Sequence, residues 1–525
     1  ATRGTIGIPT SGKWYFEARV ITGGGGNIQD QMIGVATSSN VLTGTSPYPQ
    51  AFTYGVGYIG LGQINRAGSA NQTSLTALTA GTIVGVAVDV DNNQVQFYLN
   101  GSAEGTAKQL VSTSEPNFPM FVGATNRSSQ FNFGQDSTFA GAISAGGNAD
   151  ANGNGDFAYA PPSDHLALCT SNLPDPAIDP KSDENPTDHF NTVLYTGDGQ
   201  TTKNVTVGFE PDFTWIKSRS TTGHHSLIDS VRGDVAVNSN QAIVEYGVGA
   251  FNSNSNGTID VPYYNNAYSM NTNSTTYVAW NWLGGGAAST NNNGTIQSSV
   301  SANTKSGFSI VSYTGTGANG TIGHGLSSAP ESILIKDRDT ANRNWLAYHK
   351  FDGGTDGRSF LNLNLPNVKF DNGPNSYFQD TPPTNSVFYQ NSSSYNENTK
   401  KYIAYCFHSV DGFSKVGRYI SNNSADGPFS YTGFRPAFLL IKRTQSASAN
   451  WLIYDNKRDT YNQMQFPLFP NTDAAEYTSN LLHVDFLSNG FKIRNATYGE
   501  TNAPSGHVYI YIAFAEQPFK YANAR

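Results

Sequence analysis

The stretch Pro211-Asp-Phe-Thr-Trp-Ile-Lys217 recurs twice later in the chain, as Pro330-Glu-Ser-Ile-Leu-Ile-Lys336 and as Pro436-Ala-Phe-Leu-Leu-Ile-Lys442. Proline has no N–H to donate to a β-ladder, so it suits the first residue of a strand. The residues after it are largely apolar on both faces, which predicts a strand buried on both sides. We expect the buried part of the strand to end at the lysine, whose aliphatic chain packs against the protein while its ammonium group stays in solvent.

Two further strand-like motifs flank each copy. An opening strand comes before it, as Phe190-Asn-Thr-Val-Leu-Tyr195, Phe308-Ser-Ile-Val-Ser-Tyr313 and a looser version from Phe413 to Tyr419. A closing strand comes after it, as Tyr277-Val-Ala-Trp280, Tyr402-Ile-Ala-Tyr405 and Tyr511-Ile-Ala-Phe514. The copies recur roughly every 105 to 120 residues, which is the size of a domain and too long for a solenoid repeat. We therefore predict three related β-sandwich domains, at 189–286, 287–411 and 412–525.

The composition predicts an all-β protein with several domains and a polar, mostly uncharged surface. Charged residues are 13% of the 525 residues, which is half of the usual quarter. Aromatic residues are 12%, and 54 glycines are available for turns. This apolar content can fill several cores, which excludes a disordered chain. The net charge of −8 is spread along the chain, whereas nucleic-acid binding needs a clustered basic face, so we expect no nucleic-acid partner.

The two cysteines, Cys169 and Cys406, lie in different predicted domains and in strand-like runs. Two such residues do not make a disulfide framework, so we expect both to be buried free thiols. No apolar run approaches the length of a transmembrane helix, and no signal-peptide pattern is present. We expect no membrane insertion.

Short strands separated by Gly- and Asn-rich turns occupy residues 12–134. The alternation in Gly12-Lys-Trp-Tyr-Phe-Glu-Ala-Arg-Val20 predicts a half-buried strand, with Tyr15 and Glu17 on its solvent side. Thr82-Ile-Val-Gly-Val-Ala-Val-Asp89 and Gln94-Val-Gln-Phe-Tyr-Leu99 flank the turn signal Val-Asp-Asn-Asn. This arrangement predicts a β-hairpin.

Six motifs in this region resemble the SPRY domain in both sequence and order. They are Gly12-Lys-Trp-Tyr-Phe-Glu17, Ile33-Gly-Val-Ala36, Tyr54-Gly-Val-Gly-Tyr58, Gly85-Val-Ala-Val-Asp89, Phe97-Tyr-Leu-Asn-Gly101 and Phe131-Asn-Phe-Gly134. The resemblance implies a concanavalin-like sandwich of two antiparallel sheets. It also implies a binding module rather than a catalyst, with ligands held by loops at one edge of the sandwich.

The segment that follows the SPRY-like motifs is rich in Gly, Asn, Ala, Pro and Asp. We expect Gly155-Asp-Phe-Ala-Tyr-Ala-Pro-Pro162 and Leu166-Ala-Leu-Cys169 to pack back on the sandwich as an extension. The first domain would then span 1–173. Residues 174–188 carry four prolines among several acids, which predicts a linker.

A wider resemblance covers nearly all of the chain. Its motifs are Asn172-Leu-Pro174, His189-Phe190, Tyr195-Thr-Gly197, Gly208-Phe-Glu-Pro211, Gly307-Phe-Ser309 and the tail Ala513-Phe-Ala-Glu-Gln-Pro-Phe-Lys-Tyr-Ala-Asn-Ala-Arg525. They resemble the C-terminal region of tailed-bacteriophage tail-fibre-like proteins. The resemblance implies a protein of the virion surface that attaches to the host, next to other virion proteins. By analogy with such fibres, we expect a homotrimer.

The sequence offers no catalytic constellation. A glycosidase-type depolymerase needs two carboxylates across a cleft, and acids are sparse here. Asp229 and Asp455 follow the core strands of the first and third copies, and we expect structural pairing with nearby cations, which are Lys217, Arg232, Lys442 and Arg458. Asp89, Asp91 and Asn92 could coordinate calcium, but they sit at the predicted hairpin turn, and a calcium loop needs six or more oxygens. We expect no enzyme, no cofactor and no bound metal.

Aromatic residues in loops with amide neighbours suit the recognition of sugars or polar surfaces. A ring supplies rigid contact area and amides supply adaptable hydrogen bonds. Residues that fit are Tyr48, Tyr54, Tyr58 and Arg66 in the SPRY-like loops, and Tyr263, Tyr264, Asn266 and Tyr377 in loops of the later copies. The alternative for each ring is a plug at the edge of a sandwich.

We therefore expect a tail-fibre component that binds a cell-surface glycan or protein receptor on the host. The alternatives are a capsid-decoration or tail-knob protein without a receptor role, a polysaccharide depolymerase, and a secreted bacterial adhesin, which the missing signal pattern disfavours.

Overall fold

The computed structural model describes residues 2–21, 28–37, 55–112, 116–123, 127–352, 357–371, 376–479, 481–496 and 498–522. It is 42% strand and 3% helix, which confirms the all-β prediction. The chain divides into two compact units, Ala1–Asp175 and Pro176–Arg525. In the part of the chain that the structure describes, no helix has the length and apolar character needed to cross a bilayer.

The first unit is a β-sandwich. Its strands are β1 (Thr2–Arg3), β2 (Lys13–Ile21), β3 (Gln31–Thr37), β4 (Gly55–Ile59), β5 (Gln63–Arg66), β6 (Ile83–Asp89), β7 (Gln94–Leu99), β8 (Ser102–Gln109), β9 (Asn117–Gly123), β10 (Ser128–Asn132) and β11 (Leu166–Ala167). One sheet has the order β1-β9-β3-β4-β5, and the other has the order β10-β2-β6-β7-β8, with β11 beside β2. Strands β6 and β7 pair antiparallel and confirm the predicted hairpin.

Strand β2 is covered on both faces, so the prediction that Tyr15 and Glu17 face solvent is wrong. The Tyr15 ring packs edge to face on Phe157, with centroids 5.2 Å apart. The Glu17 carboxylate accepts hydrogen bonds from the backbone N–H groups of Ala158 and Tyr159 at 2.9 Å each. Burial raises the pKa of Glu17, and these donors oppose the rise. The expected extension therefore packs on the sandwich, partly through a buried carboxylate.

The second unit contains one larger sheet in each of the stretches 189–286, 287–411 and 412–525, named here repeats 1, 2 and 3. The strands of repeat 1 are β12 (Phe190–Thr196), β13 (Thr202–Thr206), β14 (Phe213–Ser218), β15 (Ser226–Asp229), β16 (Gly233–Val237), β17 (Tyr246–Gly247), β18 (Asn252–Asn254), β19 (Thr258–Pro262) and β20 (Thr276–Trp282). Those of repeat 2 are β21 (Ser289–Asn291), β22 (Ser298–Asn303), β23 (Phe308–Thr314), β24 (Gly320–Gly323), β25 (Ser332–Asp337), β26 (Leu346–His349), β27 (Ser359–Phe360), β28 (Phe370–Asp371), β29 (Val387–Gln390) and β30 (Lys401–Phe407). Those of repeat 3 are β31 (Ser414–Ile420), β32 (Phe429–Tyr431), β33 (Phe434–Arg443), β34 (Trp451–Asp455), β35 (Val484–Leu487), β36 (Gly490–Ile493) and β37 (Val508–Pro518).

The three larger sheets share one strand order. They run β12-β20-β14-β15-β16-β17, β21-β22-β23-β30-β25-β26 and β31-β37-β33-β34. In each sheet the closing strand lies between the opening strand and the core strand, and the core strand continues into a hairpin. Smaller sheets of the order β13-β19-β18, β24-β29, β27-β28 and β32-β36-β35 accompany them. The shared order shows that the sequence motifs mark structurally equivalent strands.

The pairing of core and closing strands identifies equivalent residues, which are the pairs Phe213–Trp282, Ser332–Phe407 and Phe438–Phe514. In this register Tyr509, and not Tyr511, is equivalent to Tyr277 and Tyr402. The sequence alignment of the third closing strand is therefore wrong by two residues. A shift of two residues keeps every side chain on its own face of the sheet, so the alternation of apolar residues cannot detect it.

The prolines of the core motif occupy two kinds of position. Pro211 and Pro330 precede β14 and β25, close to the predicted first position of the strand. Pro436 lies inside the longer strand β33, at a break in its register with β37. A bulge is one of the few places in a sheet where a residue without an N–H is tolerated.

The lysine that ends each core motif is buried, so the prediction of an ammonium group in solvent is wrong. Lys217, Lys336 and Lys442 are each 0% exposed. Their ammonium groups donate to backbone carbonyls, among them those of Ser218 at 2.8 Å, Arg343 at 2.9 Å and Pro366 at 3.0 Å. Burial lowers the pKa of Lys217 and Lys336 to about 8 and that of Lys442 to about 7.

Each repeat also has a stacked tyrosine pair that joins its opening and closing strands. The pairs are Tyr195–Tyr277, Tyr313–Tyr402 and Tyr419–Tyr509, with ring centroids 5.1, 5.0 and 4.9 Å apart. The first hydroxyl of each pair donates to a carbonyl in the loop before the closing strand, at Met270, Tyr395 or Thr501. The next residue in each loop is a fully buried asparagine, which is Asn271, Asn396 or Asn502.

These three asparagines fasten the two loops at one end of each sheet. The Asn271 amide donates to Gln200 O at 2.8 Å, and the Asn502 amide donates to Ser424 O at 2.8 Å. The Asn396 amide donates to the carbonyl of Ala318 in the same way. A buried amide needs such partners to offset its desolvation. Sequence reasoning missed these residues, although each stands six or seven positions before a closing-strand tyrosine.

The repeats contact one another in a closed cycle. A backbone N–H of each repeat donates to a carbonyl just after the core motif of the next repeat, in the pairs Glu245–Arg338 (3.0 Å), Lys369–Thr444 (2.8 Å) and Glu476–Arg219 (2.8 Å). A second set joins a ring nitrogen to a carbonyl, in the pairs Trp345–Asn238 (2.8 Å), Trp451–Asn362 (3.0 Å) and His225–Phe469 (3.1 Å). Repeat 1 thus contacts repeat 2, repeat 2 contacts repeat 3, and repeat 3 contacts repeat 1. The subunits of a cyclic trimer are related in this way.

One hydrophobic cluster of the described residues draws on all three repeats. Phe213 of repeat 1 stacks on Tyr405 of repeat 2, with ring centroids 4.2 Å apart. Phe190 of repeat 1 stacks on Phe514 of repeat 3 at 5.1 Å. Repeats 1 and 2 have smaller clusters of their own as well. The repeats therefore share a core, which separate domains would not do.

The segment predicted to be a linker, 174–188, is mostly exposed, but Ile178 and Pro186 are buried. It contains two short 3₁₀ turns, Pro180–Ser182 and Pro186–Asp188. Ile178 is 0% exposed and joins the shared core. The Glu184 carboxylate lies 2.8 Å from His189 Nε2.

Both cysteines are free, as predicted. Cys406 is buried, and burial raises the pKa of its thiol. Cys169 is only half-buried at the margin of a small cluster, so its predicted full burial is wrong.

Candidate functional site

Three of the predicted binding residues in the SPRY-like region are tyrosines. Tyr48 and Tyr54 lie outside the described residues. Tyr58 has 0% of its surface exposed, and its hydroxyl donates to the Thr76 carbonyl at 2.7 Å. Its ring contacts Phe97 edge to face, with centroids 5.9 Å apart. Tyr58 is thus a core residue with no surface to offer a ligand, because β4 directs it between the two sheets.

Arg66 is half-buried, and its guanidinium group is already occupied. It donates to the carbonyls of Gln109, Leu110 and Ala67 at 2.8, 3.2 and 3.1 Å. It also donates to the Ser69 hydroxyl at 3.2 Å. These bonds fasten the chain after β8 to the end of β5, which is a structural task.

Tyr377 packs on the core of repeat 2 and is half-buried. Its ring contacts Phe360 and Tyr395 edge to face, with centroids 5.0 Å away in both cases. The edge-plugging alternative considered for each aromatic residue therefore describes Tyr377 well.

The loop between β19 and β20 presents the remaining predicted residues. Tyr263 is 37% exposed, and Asn266 is exposed as well. The Asn266 carboxamide oxygen accepts from the backbone N–H of Tyr268 at 2.9 Å, which holds the loop in a turn. Tyr264 points back to the core of repeat 1, and its buried hydroxyl has no hydrogen-bond partner. Burial raises the pKa of that hydroxyl.

A short row of rings supports this loop. The ring of Tyr268 lies 5.0 Å from His224 and 4.9 Å from Tyr246 between centroids. The Tyr268 hydroxyl donates to Gln241 Oε1 at 3.4 Å. All four side chains are half-buried, so the row is open to solvent at its edges. Sequence reasoning missed this row, because its members are far apart in the chain, and the adjacent pair His224-His225 was the only signal.

The residues suggested as calcium ligands form the hydrogen bonds and the ion pair of a turn instead. The Asp89 carboxylate accepts from the backbone and side-chain amides of Asn92 at 3.0 and 2.8 Å, and it pairs with Lys13 at 3.5 Å. Asp91 accepts from the Gly12 N–H at 2.9 Å. Within the described ranges, no group of three or more His, Cys, Asp or Glu side chains could hold a metal ion.

The acids that follow the core strands pair with arginine, as predicted, and not with the motif lysines. Asp229 binds Arg232 at 2.6 Å, and Asp455 binds Arg458 at 2.6 Å. Glu245 extends the first pair to Arg338 at 2.7 Å.

Glu476 extends the second pair in the same way, because it contacts both Arg458 at 2.8 Å and Arg219 at 3.0 Å. Each chain of four charges runs from one repeat into the next and fixes that contact. Carboxylates committed in this way are not placed as a catalytic pair across a cleft.

Among the described residues, no corresponding chain of four charges joins repeats 2 and 3. His349 stands where the other two repeats have Asp229 and Asp455, by the pairing of the core hairpins. A small cavity lies beside it, lined by Ser332, Trp451 and Tyr511 among others. The volume open to the centre of a water molecule in this cavity is about 10 Å³. Such a space holds about one water and no larger ligand.

Comparisons with known proteins match a family model to each of the two units. A model of the SPRY domain matches residues 13–136. A model described as Domain of unknown function (DUF7483) matches residues 185–518, which is more than half of the chain. The chain belongs to the DUF7483 family. The DUF7483 match spans all three repeats, so the family unit is the closed cycle and not one repeat.

The DUF7483 chain carries its SPRY domain at the N-terminal end of the sequence. One matching solved structure is the crystal structure of human SPRY domain, with 14% identity and a TM-score of 0.20. That match covers 25% of this chain and 81% of the other. Among curated proteins, none matches.

Proposed function

We propose that this protein is a surface component of a bacteriophage virion, a tail fibre that attaches to a glycan or protein receptor on the host cell. The resemblance of its motifs to tail-fibre-like proteins supports the setting. The SPRY domain supports binding rather than catalysis. Next to other virion proteins, the chain would act as a homotrimer, and several weak contacts would add up to firm attachment.

The observation that carries the proposal is the loop between β19 and β20. It exposes an aromatic ring and two amides, at Tyr263, Asn265 and Asn266, and the Asn266 side chain accepts from the backbone N–H of Tyr268. Rings with neighbouring amides provide contact area and hydrogen bonds at a low cost in conformational entropy. Most large apolar side chains in the described part of the chain are buried, so an exposed ring such as that of Tyr263 is uncommon.

Binding to intact cells tests the proposal. The fluorescently labelled full chain is incubated with a panel of bacterial strains, and bound protein is measured by flow cytometry. We expect binding to at least one strain and a loss of about tenfold or more in the double variant Tyr263→Ala, Asn266→Ala. Leu194→Ala is a matched control, because Leu194 is a strand residue with 39% exposure.

Two results would contradict host attachment. A correctly assembled chain that binds no strain would favour a structural decoration or knob protein. New reducing ends released from host polysaccharide by the purified chain would favour a depolymerase.

A further inference from the structure

The repeats provide an internal comparison. The stacked tyrosines, the buried lysine and the buried loop asparagine occur in all three repeats, so they serve the common architecture. A feature of only one repeat has no such explanation. The exposed tyrosine after the Asp455–Arg458 pair, Tyr461, is a feature of this kind, because the described residues of the corresponding segments in repeats 1 and 2 carry no exposed aromatic ring.

The segment that contains Tyr461 is longer in repeats 2 and 3 than in repeat 1, and in repeat 2 Ala347 pairs with Leu361. In repeat 1, Val237 pairs with Leu227 shortly after Arg232. In repeat 3, the corresponding pair is Leu468 with Ile453, further along the chain from its arginine. The additional residues form a surface loop, 457–463, named here the Tyr461 loop.

The Tyr461 loop carries the most exposed of the large apolar and aromatic side chains in the described ranges. Tyr461 is 78% exposed, whereas the others that count as exposed reach only 37–39%. Its neighbours in the loop are polar and exposed, namely Lys457, Thr460, Asn462 and Gln463. Most of the Tyr461 ring is therefore accessible to a ligand.

Hydrogen bonds hold the loop on both sides of this ring. The Asn462 carboxamide binds the backbone of Phe486 as a second strand would, donating at 2.8 Å and accepting at 2.9 Å. The Gln465 N–H donates to the Asp459 carboxylate at 2.6 Å. At the base of the loop, Arg458 is buried in its ion pair with Asp455. The loop that carries Tyr461 is therefore held in place before binding, which reduces the entropy lost on binding.

We propose that the Tyr461 loop binds a sugar ring of a bacterial surface polysaccharide, an inference that rests on the proposed attachment function and names its ligand class. The C–H face of a pyranose is apolar and fits one aromatic ring, while its hydroxyls suit exposed amide and hydroxyl groups such as those of Gln463 and Thr460. A protein partner would need a larger apolar centre, since stable interfaces bury about 800 Å² on each side. The polar neighbours of Tyr461 do not provide such a centre.

Direct binding to purified polysaccharides tests the inference. Lipopolysaccharide, capsular polysaccharide and teichoic acid from a panel of bacteria are immobilised, and the full chain is passed over them. We expect at least one to bind, with affinity about tenfold weaker for Tyr461→Ala and nearly unchanged for Tyr461→Trp. Asn462→Ala, which releases the loop but keeps the ring, should give a smaller loss. Leu194→Ala is the control and should bind as the wild type does.

Three results would overturn the inference. They are binding by no polysaccharide of the panel, equal binding by Tyr461→Ala and the wild type, and cell binding that is lost after protease treatment of the cells but kept after periodate. Cell binding that persists in Tyr461→Ala would leave the attachment function intact and remove only the role of this loop. A wild-type chain that binds no cells would contradict the attachment function itself.

Discussion

At the scale of single residues, the buried lysines have the clearest energetic consequence. Each ammonium group is removed from water and donates to backbone carbonyls. Lys217 also donates to the Ser218 hydroxyl at 3.3 Å, and none of these partners carries a charge. Burying a charge without a counter-ion is costly, so the pKa of each lysine falls. The carbonyls gain a donor in return, and the motif lysine closes the end of its core strand.

This cost predicts a pH dependence of stability that is specific to Lys442. Its pKa is about 7 in the folded protein against 10.5 in the unfolded chain. The unfolded chain therefore binds more protons between these values, and stability rises with pH across that window. The penalty is complete below pH 7 and absent above pH 10.5.

Denaturant unfolding between pH 6.5 and 9 measures the effect. In the wild type we expect the free energy of unfolding to gain roughly 1 kcal/mol per pH unit above pH 7 from Lys442. Lys442→Met should lack this gain between pH 7 and 8, below the window in which Lys217 and Lys336 contribute. The control is Lys457→Met, which removes an exposed ammonium group and should keep the wild-type slope. Parallel slopes in the wild type and Lys442→Met would disprove the assignment.

At the scale of elements, the core hairpins are the parts that join the repeats. Two of the three contacts are made by charge chains of the pattern Asp–Arg–Glu–Arg, and the third has His349 and a cavity instead. In the first chain Arg232 and Asp229 have no exposed side-chain surface. The Asp229 carboxylate also accepts from the Tyr405 hydroxyl of repeat 2 at 2.8 Å. A buried pair of this kind sets which hairpin meets which strand.

Removal of one partner of the Asp229–Arg232 pair should therefore lower the free energy of unfolding far more than removal of both partners. Arg232→Met leaves the Asp229 carboxylate buried and unpaired, for which we expect a loss of about 3–5 kcal/mol in the free energy of unfolding. The double variant Asp229→Asn, Arg232→Met should lose clearly less than the sum of the single variants. Denaturant unfolding of the full set measures the coupling.

The matched control is Arg358→Ala, which breaks an ion pair whose arginine is 42% exposed. We expect a change of less than about 1 kcal/mol there. Strictly additive losses at Asp229 and Arg232 would show that the pair does not join the repeats.

At the scale of the whole molecule, the three repeats of the second unit are arranged within one chain as the subunits of a cyclic trimer would be. Its contacts form a cycle, and its central aromatic cluster takes rings from every repeat. Without repeat 3, Phe190 would lose its stacked partner Phe514, and Trp280 would lose the Asp455 carboxylate to which its N–H donates at 3.0 Å. The stability of each repeat therefore depends on the other two.

Truncation tests this dependence. We expect residues 176–525 to fold with one cooperative thermal transition, since they form a compact unit. We expect 176–411 to give no folded protein, because its apolar contact surface for repeat 3 would face water. Circular dichroism and calorimetry of both fragments check the result. A folded, cooperatively melting 176–411 would instead mean that the repeats are independent domains.

The expected homotrimer is tested by light scattering. The chain mass is 56.3 kDa, so a trimer has three times that mass. The hairpin contacts that link repeats are already used within one chain, and a trimer must be held by other surfaces. Single chains at micromolar concentration would contradict the prediction, and the internal cycle would then be the threefold element of the protein.

The sequence by itself determined the fold class, the hairpin and the three equivalent core strands, because strand periodicity and turn residues act locally. It also predicted that Asp229 and Asp455 pair with nearby cations, and the structure shows that the partners are Arg232 and Arg458, three positions further along the chain. It failed for the register of the closing strand in repeat 3, because a shift of two residues conserves the pattern.

Only the tertiary structure decided which faces of the strands are covered by distant segments of the chain. Tyr15, Glu17 and the motif lysines are buried because distant segments cover them, and no local pattern contains that information. The same limit removed Tyr58 from the candidate binding residues and revealed Tyr461, whose side chain is 78% exposed. Burial is a property of long-range packing, whereas strand formation is largely a property of neighbouring residues.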